Sequence, residues 1–161
     1  MNKELNVKFK FDNSDNSIYF IQNYIDNNDE LIKELSSKNL IPWHTHALIE
    51  NPESIFLFNE VINKILNDFN VNPLKIRVNY MEKNTIKDYH KDFYKQDFTI
   101  VLNLHPGHIL FKHDITENII KFLVEANTLY IFDKTVNQFW SHRAETLGLD
   151  RLSIIIWCIK K

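Results

Sequence analysis

The spacing of hydrophobic positions changes near residue 73. Ahead of it, apolar residues recur at intervals of three and four, the period of a helix with one buried face; behind it they gather in short β-branched and aromatic runs. The spacing predicts helices over 17–24 and 29–35, separated by Asp26-Asn27-Asn28, and a longer one over 52–69. In the longer helix, Asn51 is the expected N-cap, Pro52 suits the first helical position and Glu53 favours the positive end. Phe58, Val61, Ile62, Ile65, Leu66 and Phe69 form a stripe that should cover one face of a sheet. Strands are expected over 75–80, 98–104, 109–112, 128–132 and 151–158, with weaker ones over 89–92 and 140–144, and turns at 70–73 and 105–107. The expected architecture is mainly β with flanking α, a barrel or two-sheet sandwich with N-terminal helices packed outside.

At 161 residues and 44% apolar, the chain is sized for one domain, with a helical front over about 1–72 and a barrel core over about 73–161. A formal charge of −2 lacks the basic footprint of sequence-independent phosphate binding, which disfavours nucleic acid as a partner. Cys158 is the single cysteine, so no intramolecular disulfide forms, and it reads as a small buried hydrophobe. Met1–Phe11 alternates charged and apolar residues without the apolar run of a signal peptide, and no 18-residue uncharged apolar run occurs. A cytoplasmic location and no membrane partner are therefore expected. Glycine occurs only twice, so turns must lean on Asn and Asp, which tolerate left-handed backbone.

The candidate chemistry lies in the strand-rich half. A strand period of two puts His90 and Asp92 of Tyr89-His90-Lys91-Asp92 on one face. His142 follows at the end of another expected strand, where folding can bring it opposite. Two imidazoles and a carboxylate on one face of an octahedral ion leave three positions open, which suits Fe(II) binding a chelating co-substrate together with dioxygen. Arg151-Leu152-Ser153 then opens a strand in which Arg151 and Ser153 share a face, while Leu152, Ile154 and Ile156 point the other way. A guanidinium fork beside a hydroxyl matches a carboxylate.

In this order the pattern resembles the Fe(II)/2-oxoglutarate-dependent oxygenase superfamily, whose members carry His-X-Asp, a distal His and, nine or ten residues on, a basic residue for the far carboxylate of 2-oxoglutarate. The likeness covers roughly Ile76 to Trp157. Arg151 to Trp157 is similar to the terminal strand of prolyl-hydroxylase-like members; His108-Ile109-Leu110-Phe111 and Asn127 to Phe132 resemble two further family strands, with His108 and Asn127 at positions of family glycines. The resemblance implies a double-stranded β-helix (a jelly-roll or cupin-type barrel), Fe(II) held by His90, Asp92 and His142, and 2-oxoglutarate held by Arg151 and Ser153. It also implies contacts from Asn79, which matches a position used in the nucleic-acid demethylase branch, and from Tyr80, one place from the usual family tyrosine; Met81 and Asn84 stand at the usual Tyr and Gly. The implied reaction uses O2 to hydroxylate a C–H bond of a protein or peptide side chain, an amino acid or another small molecule, releasing succinate and CO2. The alternatives are an AlkB-like nucleic-acid demethylase, weakened by Trp157 at that branch's second arginine, and a catalytically silent barrel used for binding.

Of the remaining candidates, His44 and His46 are expected in a structural or substrate-rim role. His105, His108 and His113 are read as turn and strand surface residues, Trp140 and Trp157 as core, and Arg143 as a solvated charge.

Overall fold

A computed structural model describes residues 7–10 by their backbone, and 17–92 and 95–161 in full. Most of the stretch 1–11, read above for its charge alternation, lies outside these residues. The elements run β1 (Val7–Lys10), β2 (Ser17–Ile21), α1 (Asn28–Ser36), β3 (Leu40–Trp43), β4 (His46–Ile49), a single 3-10 turn (Pro52–Ser54), α2 (Phe56–Asp68), β5 (Val71–Met81), β6 (Phe98–Asn103), β7 (Gly107–His113), β8 (Ile119–Val124), β9 (Thr128–Asp133), α3 (Lys134–Phe139), β10 (Trp140–Thr146) and β11 (Arg151–Lys160).

Among the described residues these form two antiparallel sheets. The larger has the order β1-β2-β9-β6-β11-β5-β4-β3 and the smaller the order β10-β7-β8. The segment 85–92 extends the smaller sheet beside β10 through two isolated bridges, Ile86 to Glu145 and His90 to His142. This is the expected barrel of two facing sheets.

The larger sheet divides its side chains by parity. Val78, Ile100, Leu102, Leu152, Ile154 and Ile156 pack in one core with Leu31 and Leu35 of α1 and Leu57, Phe58, Val61, Ile62 and Ile65 of α2. The helical stripe thus covers one sheet face as its spacing predicts, with each fully buried large side chain contributing ~1.5–3 kcal/mol. Between the sheets, Val101, Ile109, Phe111, Tyr130, Phe132 and Trp140 form a second, largely aromatic cluster.

Several local expectations fail. The front is not uniformly helical: 17–21 is a strand paired between β1 and β9, with Ile18 and Phe20 packed in the cluster between the sheets rather than in a helix stripe, and β3 and β4 form a hairpin. The 52–69 helix breaks at Ile55, whose backbone is extended, and Asn51 is left-handed with no side-chain cap. Pro73 lies inside β5 rather than in a turn, opposite a bulge between Trp157 and Cys158. Residues 89–92 make one bridge instead of a strand. No helix among the described residues is long and apolar enough to cross a membrane.

Candidate metal centre

The remaining face of the larger sheet, the smaller sheet and the segment 85–92 enclose a cavity of about 560 Å3. Period-two alternation selects its wall: Arg151, Ser153, Ile155 and Trp157 from β11, and Arg77, Asn79 and Met81 from β5, all face inward. The shared face expected for Arg151 and Ser153 is present. Tyr80 is on the other face, where it packs against the helical core and donates its hydroxyl to Asp150 Oδ2 at 2.8 Å. Alternation forbids Tyr80 and Asn79 from both reaching the cavity, so the co-substrate contact expected of Tyr80 is not available.

His90, Asp92 and His142 converge on the cavity with one ligand-type atom each, all within 4.8 Å of one another. His90 Nε2 lies 3.9 Å from Asp92 Oδ1, and His142 Nε2 lies 3.6 Å from Asp92 Oδ2. Their convergence does not come from a shared strand face. His90 is fixed by its bridge to His142, whereas Asp92, two residues on, is fixed by Asn137 of α3: Asp92 N–H donates to Asn137 Oδ1 at 3.1 Å and Asn137 Nδ2 donates to the Asp92 carbonyl at 2.7 Å. Thr99 Oγ1 donates to Asp92 Oδ2 at 3.3 Å. His90 Nδ1 sits 3.0 Å from the Asp88 carbonyl oxygen, which can only accept, so Nδ1–H donates to it and Nε2, on the side of Asp92, carries the lone pair. Burial pushes His142 down to about 4, with Asp92 opposing and His90 assisting, so at neutral pH its ring is the neutral form that binds metals.

Arg151 lies deeper and is 1% exposed. Its Nε donates to Asn103 Oδ1 at 2.8 Å, and its Nη1 donates to the carbonyls of His108 at 3.0 Å and Glu145 at 3.4 Å. Among the described residues it has no carboxylate partner. Tyr130 lines the cavity with it, and burial pushes the Tyr130 hydroxyl up to about 12, so it keeps its proton. Gly107 makes the close packing possible: a Cβ there would lie 2.9 Å from the Glu145 carbonyl oxygen and 3.0 Å from Arg151 Cδ and Nε. Asn79, 4% exposed, faces the same cavity with a buried Oδ1 that lacks a hydrogen-bond partner.

Asn103, Tyr130, Thr99 and Asn137 were not among the sequence candidates. The first three carried a signal, since Thr99 and Asn103 share the inward parity of Val101 on β6 and Tyr130 occupies the matching place on β9; Asn137 belongs to a one-and-a-half-turn helix with no such period.

The other candidates separate cleanly. His44 and His46 line the cavity at the tip of the β3–β4 hairpin, in accord with a rim position. His105 accepts from Leu152 N–H at 3.0 Å, and His113 accepts from the Ile115 and Thr116 N–H groups while packing edge-on to Trp140. Trp140 is core; Trp157 is buried on the cavity wall. Arg143 is not a solvated charge, because it pairs with Glu145 at 2.8 Å and lies over the Tyr89 ring, pointing away from the cavity. Cys158 is buried.

No protein-family model matches the chain, and no curated protein is similar to it. Solved structures are similar. A prolyl hydroxylase from Trichoplax adhaerens, in complex with a hypoxia inducible factor oxygen degradation domain peptide fragment, matches with a TM-score of 0.64 at 12% identity, over 88% of this chain and 82% of its own. OsALKBH1 matches with a TM-score of 0.65 at 11% identity, over 87% of this chain and 96% of its own. HygX from Streptomyces hygroscopicus, with nickel and 2-oxoglutarate bound, matches with a TM-score of 0.66 at 7% identity, over 86% of this chain and 81% of its own. The chain has the double-stranded β-helix fold of the 2-oxoglutarate–Fe(II) oxygenases.

Proposed function

We propose that the protein is an Fe(II)- and 2-oxoglutarate-dependent oxygenase, a single domain that hydroxylates a C–H bond of a protein or peptide side chain, an amino acid or another small molecule. The observation that carries this reading is the buried Arg151 guanidinium, which reaches the same cavity as the His90, Asp92 and His142 cluster and meets no carboxylate among the described residues. Burying an unpaired cation is costly, and an incoming carboxylate is the partner that offsets it.

On this reading the two Nε2 atoms and the Asp92 carboxylate hold Fe(II), and Arg151, Tyr130 and Ser153 hold the far carboxylate of 2-oxoglutarate. Fe(II) with dioxygen supplies the oxidising power, and the balance is C–H plus O2 plus 2-oxoglutarate giving C–OH, succinate and CO2. The chain's own contribution is orientation: Asp88 and Asn137 set the ligand directions, Arg151 sets the co-substrate's reach, and the aromatic wall of Phe111 and Phe132 beside His142 excludes water. The lone buried Cys158 fits a reducing compartment, and we place the protein in the cytoplasm.

A nucleic-acid demethylase is the second reading, favoured by the equal similarity of the AlkB homologue OsALKBH1. Against it stand Trp157, where the resemblance calls for a second arginine, and the net charge of −2.

The test is anaerobic titration of the purified protein with Fe(II) and 2-oxoglutarate, following the visible charge-transfer band of a chelated ferrous complex. The band is expected in the wild type and lost in both His142→Ala and Arg151→Ala. A wild type without a band and without calorimetric iron binding refutes the reading and leaves a barrel used for binding alone.

A further inference from the structure

The cavity carries more positive charge than the metal and co-substrate account for. Arg77 and Lys87 line it from opposite walls, β5 and the segment 85–92, and neither makes an ion pair among the described residues. The Arg77 guanidinium lies 4.8 Å from the Trp43 ring and 5.7 Å from the Trp157 ring, a slot between two aromatic residues that line the same cavity. Both cations bear on His46, which burial and then Lys87 and Arg77 push down to about 3. Burial pushes Lys87 itself down to about 8, so it is a cation at neutral pH. Two acids line the cavity among the described residues: Asp92, committed to the metal cluster, and Asp88, exposed at the mouth. Lys91, the other lysine of the lining, is already neutralised by Asp114.

We propose that the substrate carries an anionic group, a carboxylate or a phosphate, which binds between Arg77 and Lys87 toward the mouth of the cavity. Its role as a substrate site rests on the oxygenase reading, whereas the anion site itself does not. Trp43, at the hairpin tip and 40% exposed, closes the outer side of the slot, so the anion is drawn past an aromatic surface before it meets the cations. The bound group leaves the remainder of the molecule directed inward to the His90, Asp92 and His142 cluster.

The experiment loads the protein with Mn(II) and 2-oxoglutarate, so that the Arg151 position is filled, and measures binding of benzoate, phenyl phosphate and the neutral benzamide by calorimetry and ligand-observed NMR. The better of the two anions is expected to bind about tenfold or more tightly than benzamide, the range of a charge-assisted contact. In Arg77→Met and in Lys87→Met this preference is expected to fall below about threefold, with 2-oxoglutarate affinity unchanged. The ratio of benzoate to phenyl phosphate identifies the anion. Equal binding of benzamide, a preference that survives both substitutions, or no anion binding up to about 10 mM overturns the proposal. If Mn(II) and 2-oxoglutarate do not bind, while the metal-free protein retains an anion preference that depends on Arg77 and Lys87, the oxygenase reading fails and the anion site stands.

Discussion

His90 and His142 hold each other by their backbones: His90 N–H donates to the His142 carbonyl at 3.0 Å, His142 N–H returns the bond at 2.9 Å, and the ring centroids lie 4.5 Å apart. The imidazoles are thus brought together by groups that survive side-chain replacement. His90→Ala, which removes a partly exposed ring, is expected to melt close to the wild type yet bind no iron. Anaerobic calorimetry against a thermal melt checks both halves; a variant that keeps one iron per chain and turns over 2-oxoglutarate contradicts the ligand assignment.

Asn137 bonds both backbone groups of Asp92 and Thr99 bonds its carboxylate, and neither belongs to the His90, Asp92 and His142 cluster itself. Asn137→Ala and Thr99→Val should weaken metal binding by roughly 10–100-fold, the usual effect of losing groups that orient ligands. Competition titration against a chelator measures this, and unchanged affinity in both would show that Asp92 is positioned by other contacts.

Arg151→Ala should weaken 2-oxoglutarate binding by ~2–5 kcal/mol, since the incoming carboxylate is left without its charge partner. Arg151→Lys should recover only part of the loss, because an ammonium cannot bond Asn103 Oδ1 and the His108 carbonyl while presenting a fork to the ligand. Displacement calorimetry with the metal in place distinguishes the two.

Gly107→Ala pushes a methyl group against the Glu145 carbonyl and the Arg151 side chain. The expected result is weaker 2-oxoglutarate binding with metal affinity retained, since the cluster lies on other residues. Loss of both together would mean that the strand itself had moved.

Asn127 has a φ of +54° and grips Ile25 by both backbone groups, accepting from its N–H at 3.0 Å and donating to its carbonyl at 2.6 Å. Asn127→Ala should cost ~2–4 kcal/mol, combining the left-handed strain with two lost hydrogen bonds, and Asn127→Gly less because only the bonds are lost. Urea unfolding at constant slope tests the order of the three proteins.

The legible parts of the sequence were those whose chemistry depends on spacing alone. Arg151, Ser153 and the apolar residues between them announce two faces of one strand, and Asn84 and Asn127, standing at family glycine positions, indeed take positive φ. Asp92 was found for a reason that does not hold, since 89–92 is no strand and its direction comes from Asn137, remote in sequence. Tyr80 shows the converse: it neighbours a cavity residue in sequence, and the pleat alone turns it away. Residues 17–21 escape the sequence because Ile18 and Phe20 are compatible with either period, and 40–49 because Leu40 to Trp43, the edge strand β3, is exposed throughout.

The division of β11 into one face for the helices and one for the cavity makes its alignment unforgiving. A slip of a single residue against β5 and β6 would turn Arg151 and Ser153 into the helical core and deliver Leu152 and Ile154 to the cavity, abolishing the anion partner and burying a charge in one movement. The residues that select for chemistry therefore also penalise the mispaired sheet, and folding to the correct alignment and possession of a working cavity are enforced by the same side chains.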